Sequence, residues 1–305
     1  MKDLRNDGLY SQEWFKKRAF QSLKKLREGV WDFSDPLLLY ATSDGKEYEA
    51  VQQIDNSYYQ FITKPEQSYL NSVAPRIVSE LPEKFEYVEL GPGTAQKEQI
   101  MFDEAKRQHK EFNYIPVDIS EHFLSLSVDR ASKQGIHTHP LRISFEELAL
   151  EGVGKGNTRL VSLLGLTYSN YTPSTILSLL KSIADKNGLV LIDLQIAERE
   201  DIEEVRKVYR ENLLDVVKEK LQLLGLSMDQ DVGSFEVDKE VRAWCELSHS
   251  TPELETRGIM PGDKLLVFQS LRPTREALEA DIAAVFSSYT LFDTGESFIA
   301  ALLKS

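Results

Sequence analysis

The chain has 305 residues, 41% hydrophobic and 28% charged, enough apolar side chains to fill the core of one large or two modest domains. A formal charge of -13 argues against wholesale binding to nucleic acid or acidic membranes and favours a small metabolite as partner. The single cysteine, Cys245, cannot form an internal disulfide, MKDLRNDGLYSQEWFKKRAF lacks the apolar stretch of a secretory signal, and no run approaches the roughly 18 apolar residues of a membrane span, so the chain reads as cytoplasmic and globular.

Residues 9–29 set Tyr10, Trp14, Phe15, Phe20 and Leu23 at helical spacing among Lys, Arg and Glu, which predicts a helix with a charged outer face. Residues 40–63 are polar and aromatic around Gly45 and read as a loop-and-helix cap over a site. From 64 to 195 the strand-like runs FEYVEL, FNYIPVDI, GIHTHPLRI, LVSLLGL and LVLIDL alternate with helical stretches, the pattern of parallel strands joined by crossover helices. After Asp193 come a strongly charged helix, AEREDIEEVRKVYRENLLDVVKEKL, and two strand-like pieces, EVRAWCELSHS and KLLVFQSL. Residues 274–286 again read as a helix, and SYTLFDTGESFIAALLKS as two strands around the turn Asp293-Thr294-Gly295. The expected fold is α/β: a wound sheet with a closing antiparallel hairpin over 64–195 and 276–305, plus a second α+β domain built from 1–63 and 196–275.

The most informative text is Tyr87-Val88-Glu89-Leu90-Gly91-Pro92-Gly93-Thr94, followed by Ile115-Pro116-Val117-Asp118. A buried strand that breaks into a glycine turn lets backbone approach a ligand, and an acid ending the next strand can accept hydrogen bonds from both hydroxyls of a ribose. The spacing lacks the third glycine of the dinucleotide fingerprint, which favours a nucleoside such as S-adenosylmethionine over NAD. The other reading of Asp118 is a helix cap, a task Ser120 could do equally well.

From Tyr40 onward the chain resembles the histidine Nα-methyltransferases of ergothioneine biosynthesis and their relatives, most specifically in LGPGTAQKE, YIPVDIS, LLGLTYSNYTP, LIDL and ESFIAALL. The resemblance implies a Rossmann-like class I methyltransferase sheet that binds S-adenosylmethionine, and a substrate-binding domain split between the amino-terminal segment and the insertion. It implies cofactor contacts at Tyr40, Gly91, Gly93, Lys97 and Asp118. Where the family has an Asp-Phe pair beside the adenine this chain has Ser144-Phe145, a neutral partner in place of a carboxylate.

For the acceptor, the resemblance implies that Asn170 and Tyr209 hold the α-carboxylate, donors that add no second charge to the site, and that Tyr58 belongs to the pocket. Read alone, Asn170 before Tyr171-Thr172-Pro173 could be a turn residue and Tyr209 a core residue. The family's histidine enzymes carry a glutamate two residues before a serine, both directed at imidazole. Here Ser270 is present and Phe268 stands in the glutamate's place, which predicts an acceptor with a less polar side group than histidine. Gln269 is the polar substitute if the register shifts by one.

The expected activity is therefore methyl transfer from S-adenosylmethionine to the amine of an amino acid or similar small molecule. Tyr40, Tyr58 and Ser270 are the candidates for orienting that amine and its departing proton. No metal or second cofactor is implied: His137-x-His139 has ligand-like spacing without a third group nearby. A regulatory protein with a degenerate cofactor site, and an NAD-dependent oxidoreductase on a similar sheet, stay open as alternatives.

Overall fold

The structure is a computed structural model that describes residues 10–40, 44–94, 96–151 and 158–305; of Tyr40, Glu47 and Glu151 it describes the backbone only. The chain forms two compact units, one of residues 59–200 with 272–305 and the other of residues 10–58 with 201–271.

Helix α1 (Gln12–Ser22) starts on Ser11, whose hydroxyl accepts the Trp14 N–H, and buries Phe15 and Ala19. The sequence pattern carries this helix to residue 29, but the structure ends it at Ser22. Strands β1 (Lys24–Arg27) and β2 (Val30–Asp32) pair antiparallel instead, and between them Gly29 takes φ +67°, which lets the chain reverse. Of the polar and aromatic stretch that follows, the described part holds a 3-10 turn at Pro36–Tyr40 and α2 (Lys46–Val51), with turns and bends at 44–45 and 52–56.

A π-helical turn, Tyr59–Thr63, leads into α3 (Lys64–Ser79), β3 (Lys84–Leu90), α4 (Lys97–Arg107), β4 (Glu111–Asp118) and α5 (Glu121–Lys133). Then come β5 (Leu141–Arg142), α6 (Phe145–Glu151), β6 (Arg159–Leu163), a 3-10 turn at Thr167–Asn170, α7 (Pro173–Ala184) and β7 (Leu189–Gln195). The run GIHTHPLRI is expected as a full strand and is not one. Only Leu141–Arg142 pairs with β4, and upstream a single bridge joins Thr138 to Tyr114. Pro140 has no N–H to give the ladder and falls in the gap between the Thr138 bridge and Leu141.

Helix α8 (Ile202–Gln222) opens on Asp201, whose carboxylate accepts the Glu203 and Glu204 N–H groups. The charged helix thus starts later than its sequence suggests, after a separate 3-10 turn at Ala197–Arg199. Next are β8 (Val232–Val237), a strand the sequence pattern does not single out, β9 (Arg242–Leu247), α9 (Pro252–Glu255) and β10 (Lys264–Gln269). The chain closes with α10 (Arg275–Val285) and the hairpin β11 (Ser288–Asp293) and β12 (Phe298–Lys304).

The first unit holds a seven-stranded sheet in the order β11-β12-β7-β6-β3-β4-β5, with β12 antiparallel to both neighbours and the other pairs parallel. Its central strands are buried on both faces, so β6 reads as a continuous run rather than an alternating one. The chain leaves β3 for β4 and β5 on one side and then crosses to β6 on the other. Strand order therefore reverses between β3 and β6, and the carboxyl ends of those two strands frame the crevice where a wound sheet takes its ligand. The second unit holds a mixed five-stranded sheet, β1-β2-β10-β9-β8.

Candidate active site

The switch point is built from glycine. At the end of β3, Gly91 and Gly93 take φ +65° and +58°, and the Gly91 N–H donates to Val117 O at 2.8 Å, one residue before Asp118. A Cβ on Gly91 would lie 3.4 Å from Cζ of Phe145, so that ring closes on bare backbone. At the end of β6, Gly165 takes φ +92°, and a Cβ there would fall 2.0 Å from Lys97 Nζ. Only glycine lets that ammonium lie over the residue. Leu166 follows at φ +59°, a strained conformation for a side chain of its size and one that collects at functional turns.

Asp118 is 8% exposed at the end of β4, and its Oδ1 accepts the Ser120 N–H at 2.9 Å. Ser120 Oγ in turn accepts the Phe123 N–H at 3.1 Å and caps α5. The capping task falls to the serine and leaves the acid at the strand end. Ser144 is committed locally: its hydroxyl donates to Glu147 Oε2 at 2.8 Å and accepts the Glu147 N–H at 3.2 Å, a capping box that starts α6. Phe145 is buried with Leu90, Val117 and Ile143 in the core of this unit.

Beneath the glycine turns lies a buried acidic cluster. Tyr114 donates to Glu89, and burial raises the Glu89 carboxyl to about 7, with Tyr114 and Lys97 opposing the shift. Glu98 is fully buried, and among the described residues neither of its carboxyl oxygens has a hydrogen-bond partner. Burial and the neighbouring Glu89 hold its carboxyl well above the usual range. Lys97 Nζ donates to Glu66 Oε1 at 3.0 Å, and the Gly165 N–H donates to Asp193 Oδ1 at 2.9 Å. Asp193, wholly buried, is raised well above the carboxylate range by desolvation and by Glu66 opposite it. Glu66, Gly165 and Asp193 are site residues that sequence reasoning does not single out. The one signal for them is an acid inside the otherwise apolar run of β7.

In the other unit, Tyr58, Tyr209, Phe268 and Ser270 come together. The Tyr209 ring stands 5.8 Å from both Tyr58 and Phe268, and its hydroxyl is 3.1 Å from Ser270 Oγ. Tyr209, Phe268 and Ser270 are buried and Tyr58 is half-buried. Because Phe268 and Ser270 both meet Tyr209, they share one face of the β10 segment, and alternation along a strand sends Gln269 the other way. Asn170 belongs to the first unit, half-buried at the end of the 3-10 turn Thr167–Asn170. The side chain of Tyr40 lies outside the described part of the structure. No group of three or more metal-ligating side chains able to hold an ion is found among the described residues, and none of their helices is long and apolar enough to cross a membrane.

A seven-stranded sheet of this order, with bare glycine turns at its switch point and an acid ending the neighbouring strand, defines the Rossmann-like fold of an S-adenosylmethionine-dependent methyltransferase. The residues fit that cofactor: the glycine turns at 91–93, in left-handed conformation, bring backbone without side chains to the switch point, and Asp118 offers the carboxylate a ribose requires. Residues 19–238 match the family described as histidine-specific methyltransferases, SAM-dependent, and the chain belongs to that family. A comparison with curated proteins gives no match. Among solved structures, a methyltransferase of Clostridium acetobutylicum is 11% identical, with 85% of this chain and 98% of that chain covered and a TM-score of 0.41. The CurJ carbon methyltransferase is 12% identical, with 88% and 60% covered and a TM-score of 0.48. The plantazolicin methyltransferase BamL, solved with S-adenosylhomocysteine, is 12% identical, with 96% and 97% covered and a TM-score of 0.41.

Proposed function

We propose that this methyltransferase acts on the amine of an amino acid or amino-acid-like metabolite whose side group is less polar than imidazole. The observation that carries this reading is Phe268, buried against Tyr209 on the same face as Ser270, where the resemblance implies an imidazole-directed glutamate. The family's description names histidine. A phenyl ring offers the imidazole N–H no acceptor, and leaving such a donor unpaired in a buried site costs roughly 1–3 kcal/mol, about one to two orders of magnitude in affinity.

S-adenosylmethionine supplies a sulfonium methyl that is already activated, so the chain's residues have mainly to bind, align and exclude water. Holding a neutral amine in line with that methyl can lower the barrier by roughly 7–11 kcal/mol. The acid at Asp118 and the glycine turns at 91–93 and 165 serve the cofactor. Tyr209 and Asn170 are assigned to the acceptor's carboxylate on their motif positions, and Tyr58 and Ser270 to orienting the amine as its proton leaves. Residues 10–58 with 201–271 are accordingly the substrate-binding unit.

The test is a competition assay that follows S-adenosylhomocysteine release with histidine beside a panel of aromatic and aliphatic amino acids. The wild type is expected to prefer a panel member over histidine by about tenfold or more, and Phe268→Glu to move preference toward histidine. Wild-type turnover of histidine that no panel member exceeds would overturn the specificity while leaving the fold and cofactor untouched.

A further inference from the structure

Two buried carboxyl groups face each other behind the turns that meet the cofactor, and the mechanism above makes no use of them. Asp193 points from β7 and Glu66 from the first turn of α3, and both are essentially excluded from solvent. Each has one clear donor: Gly165 N–H to Asp193 Oδ1 at 2.9 Å, and Lys97 Nζ to Glu66 Oε1 at 3.0 Å. Among the described residues no donor reaches the remaining Asp193 oxygen, Oδ2, yet the two carboxyl groups lie within hydrogen-bonding reach of each other. Two acceptors cannot bond without a proton between them. Two carboxylates beside one ammonium would also leave a net negative charge in a dry site, whereas one added proton makes the set neutral.

We propose that Asp193 and Glu66 share one proton and act as a positioning pair, fixing the Lys97 ammonium and the Gly165 turn at the switch point where the cofactor binds. The pair makes a continuous chain of donors: Gly165 N–H to Asp193, the Asp193 hydroxyl to Glu66, and Lys97 to Glu66. It joins β7, α3, α4 and the loop after β6. Lys97 is held by Glu66 at 3.0 Å, and its ammonium lies where a Cβ on residue 165 would be. The proposal rests on the reading of Lys97 as a cofactor contact. The charged and titratable groups around Asp193 are Glu66 and Tyr69 from α3, Lys97 from α4 and Tyr87 from β3. Only Lys97 among them favours the ionised form, and burial together with Glu66 outweighs it, so the proton is held on.

The experiment measures S-adenosylmethionine affinity by calorimetry for wild type, Asp193→Ala, Asp193→Asn and Lys97→Met. An asparagine amide donates to Glu66 and accepts from Gly165 as a protonated aspartate does. Asp193→Ala is therefore expected to lose about tenfold or more in affinity and Asp193→Asn to return to within about threefold of wild type. Asp193→Asn as weak as Asp193→Ala, in a protein that melts like wild type, would overturn the proposal. The proton itself is read from an infrared difference spectrum, wild type minus Asp193→Asn in heavy water. The carbonyl band of a protonated carboxylic acid is expected there, and its absence would equally overturn the pair even if Asp193→Ala fails to fold. Unchanged affinity in Lys97→Met with the band present would locate the error in the cofactor role of Lys97, and would overturn the positioning role while leaving the shared proton.

Discussion

At Glu89 burial overrides what the sequence advertises. The residue sits inside the glycine-turn text and would be ionised in water, yet its carboxyl titrates at about 7 because desolvation outweighs the hydrogen bond from Tyr114 and the charge of Lys97. The folded state thus holds its proton more tightly than the unfolded chain does. Stability from this group is complete below the unfolded value near 4.5 and is lost as pH rises through about 7. Glu89→Gln, which cannot ionise, is expected to gain on the wild type across that window and to level off above it, by about 1–3 kcal/mol in urea unfolding at pH 8. A gain that is the same at pH 5 and pH 8 would show that Glu89 is not the titrating group. Gly91 and Asp118 stand out in the sequence through their spacing, and Lys97 through the family resemblance. Glu66 and Asp193 do not, because their partners lie 31 and 28 residues away in sequence and only packing brings them together.

Elements were legible where period and punctuation agree, and illegible where one punctuating residue outweighed the period. Phe85 to Leu90, Glu111 to Asp118 and Leu189 to Gln195 carry continuous buried runs and form strands. GIHTHPLRI is more polar, and around Pro140 its pairing thins to the Thr138 bridge and Leu141–Arg142. The opening helix falls short for the converse reason: its period runs to residue 29, but Gly29 sits at φ +67° between the antiparallel β1 and β2. Ser144, which the resemblance sets beside the adenine as a neutral partner in place of an acid, serves in the structure as a helix start signal. Because its hydroxyl and the Glu147 carboxylate cap α6 reciprocally, Ser144→Ala should lower stability by about 0.5–2 kcal/mol, measured as a shift in the urea midpoint. No shift would mean that α6 starts without the box.

At the scale of the molecule, the alternation of strands and helices made the wound sheet legible, while the five-stranded sheet was not, because its strands come from segments more than two hundred residues apart. Lys220 shows what holds that second unit together: its fully buried ammonium donates to Asp35 O and Val267 O, each at 3.0 Å, and lies 4.8 Å from the Phe33 ring centre. Burial lowers its pKa to about 7, with Asp35 and Asp32 opposing. The folded state therefore binds this proton less tightly than the unfolded chain, and stability should rise as pH climbs from about 7 toward 10. Measured against Lys220→Met, the wild type is expected to gain on the order of 2–4 kcal/mol over that interval; a difference that does not change with pH would show that the amine stays charged in the fold. The position of β12 has a further consequence. It lies between β7 and β11 and follows every other strand in sequence, so when β7 leaves the ribosome its outer edge has no neighbour until about a hundred more residues have been made. At roughly 5–20 residues per second that open edge persists on the order of 5–20 s. During this interval the nascent chain displays unpaired backbone beside an apolar strand, the form of surface that holdase chaperones bind and that neighbouring chains can invade.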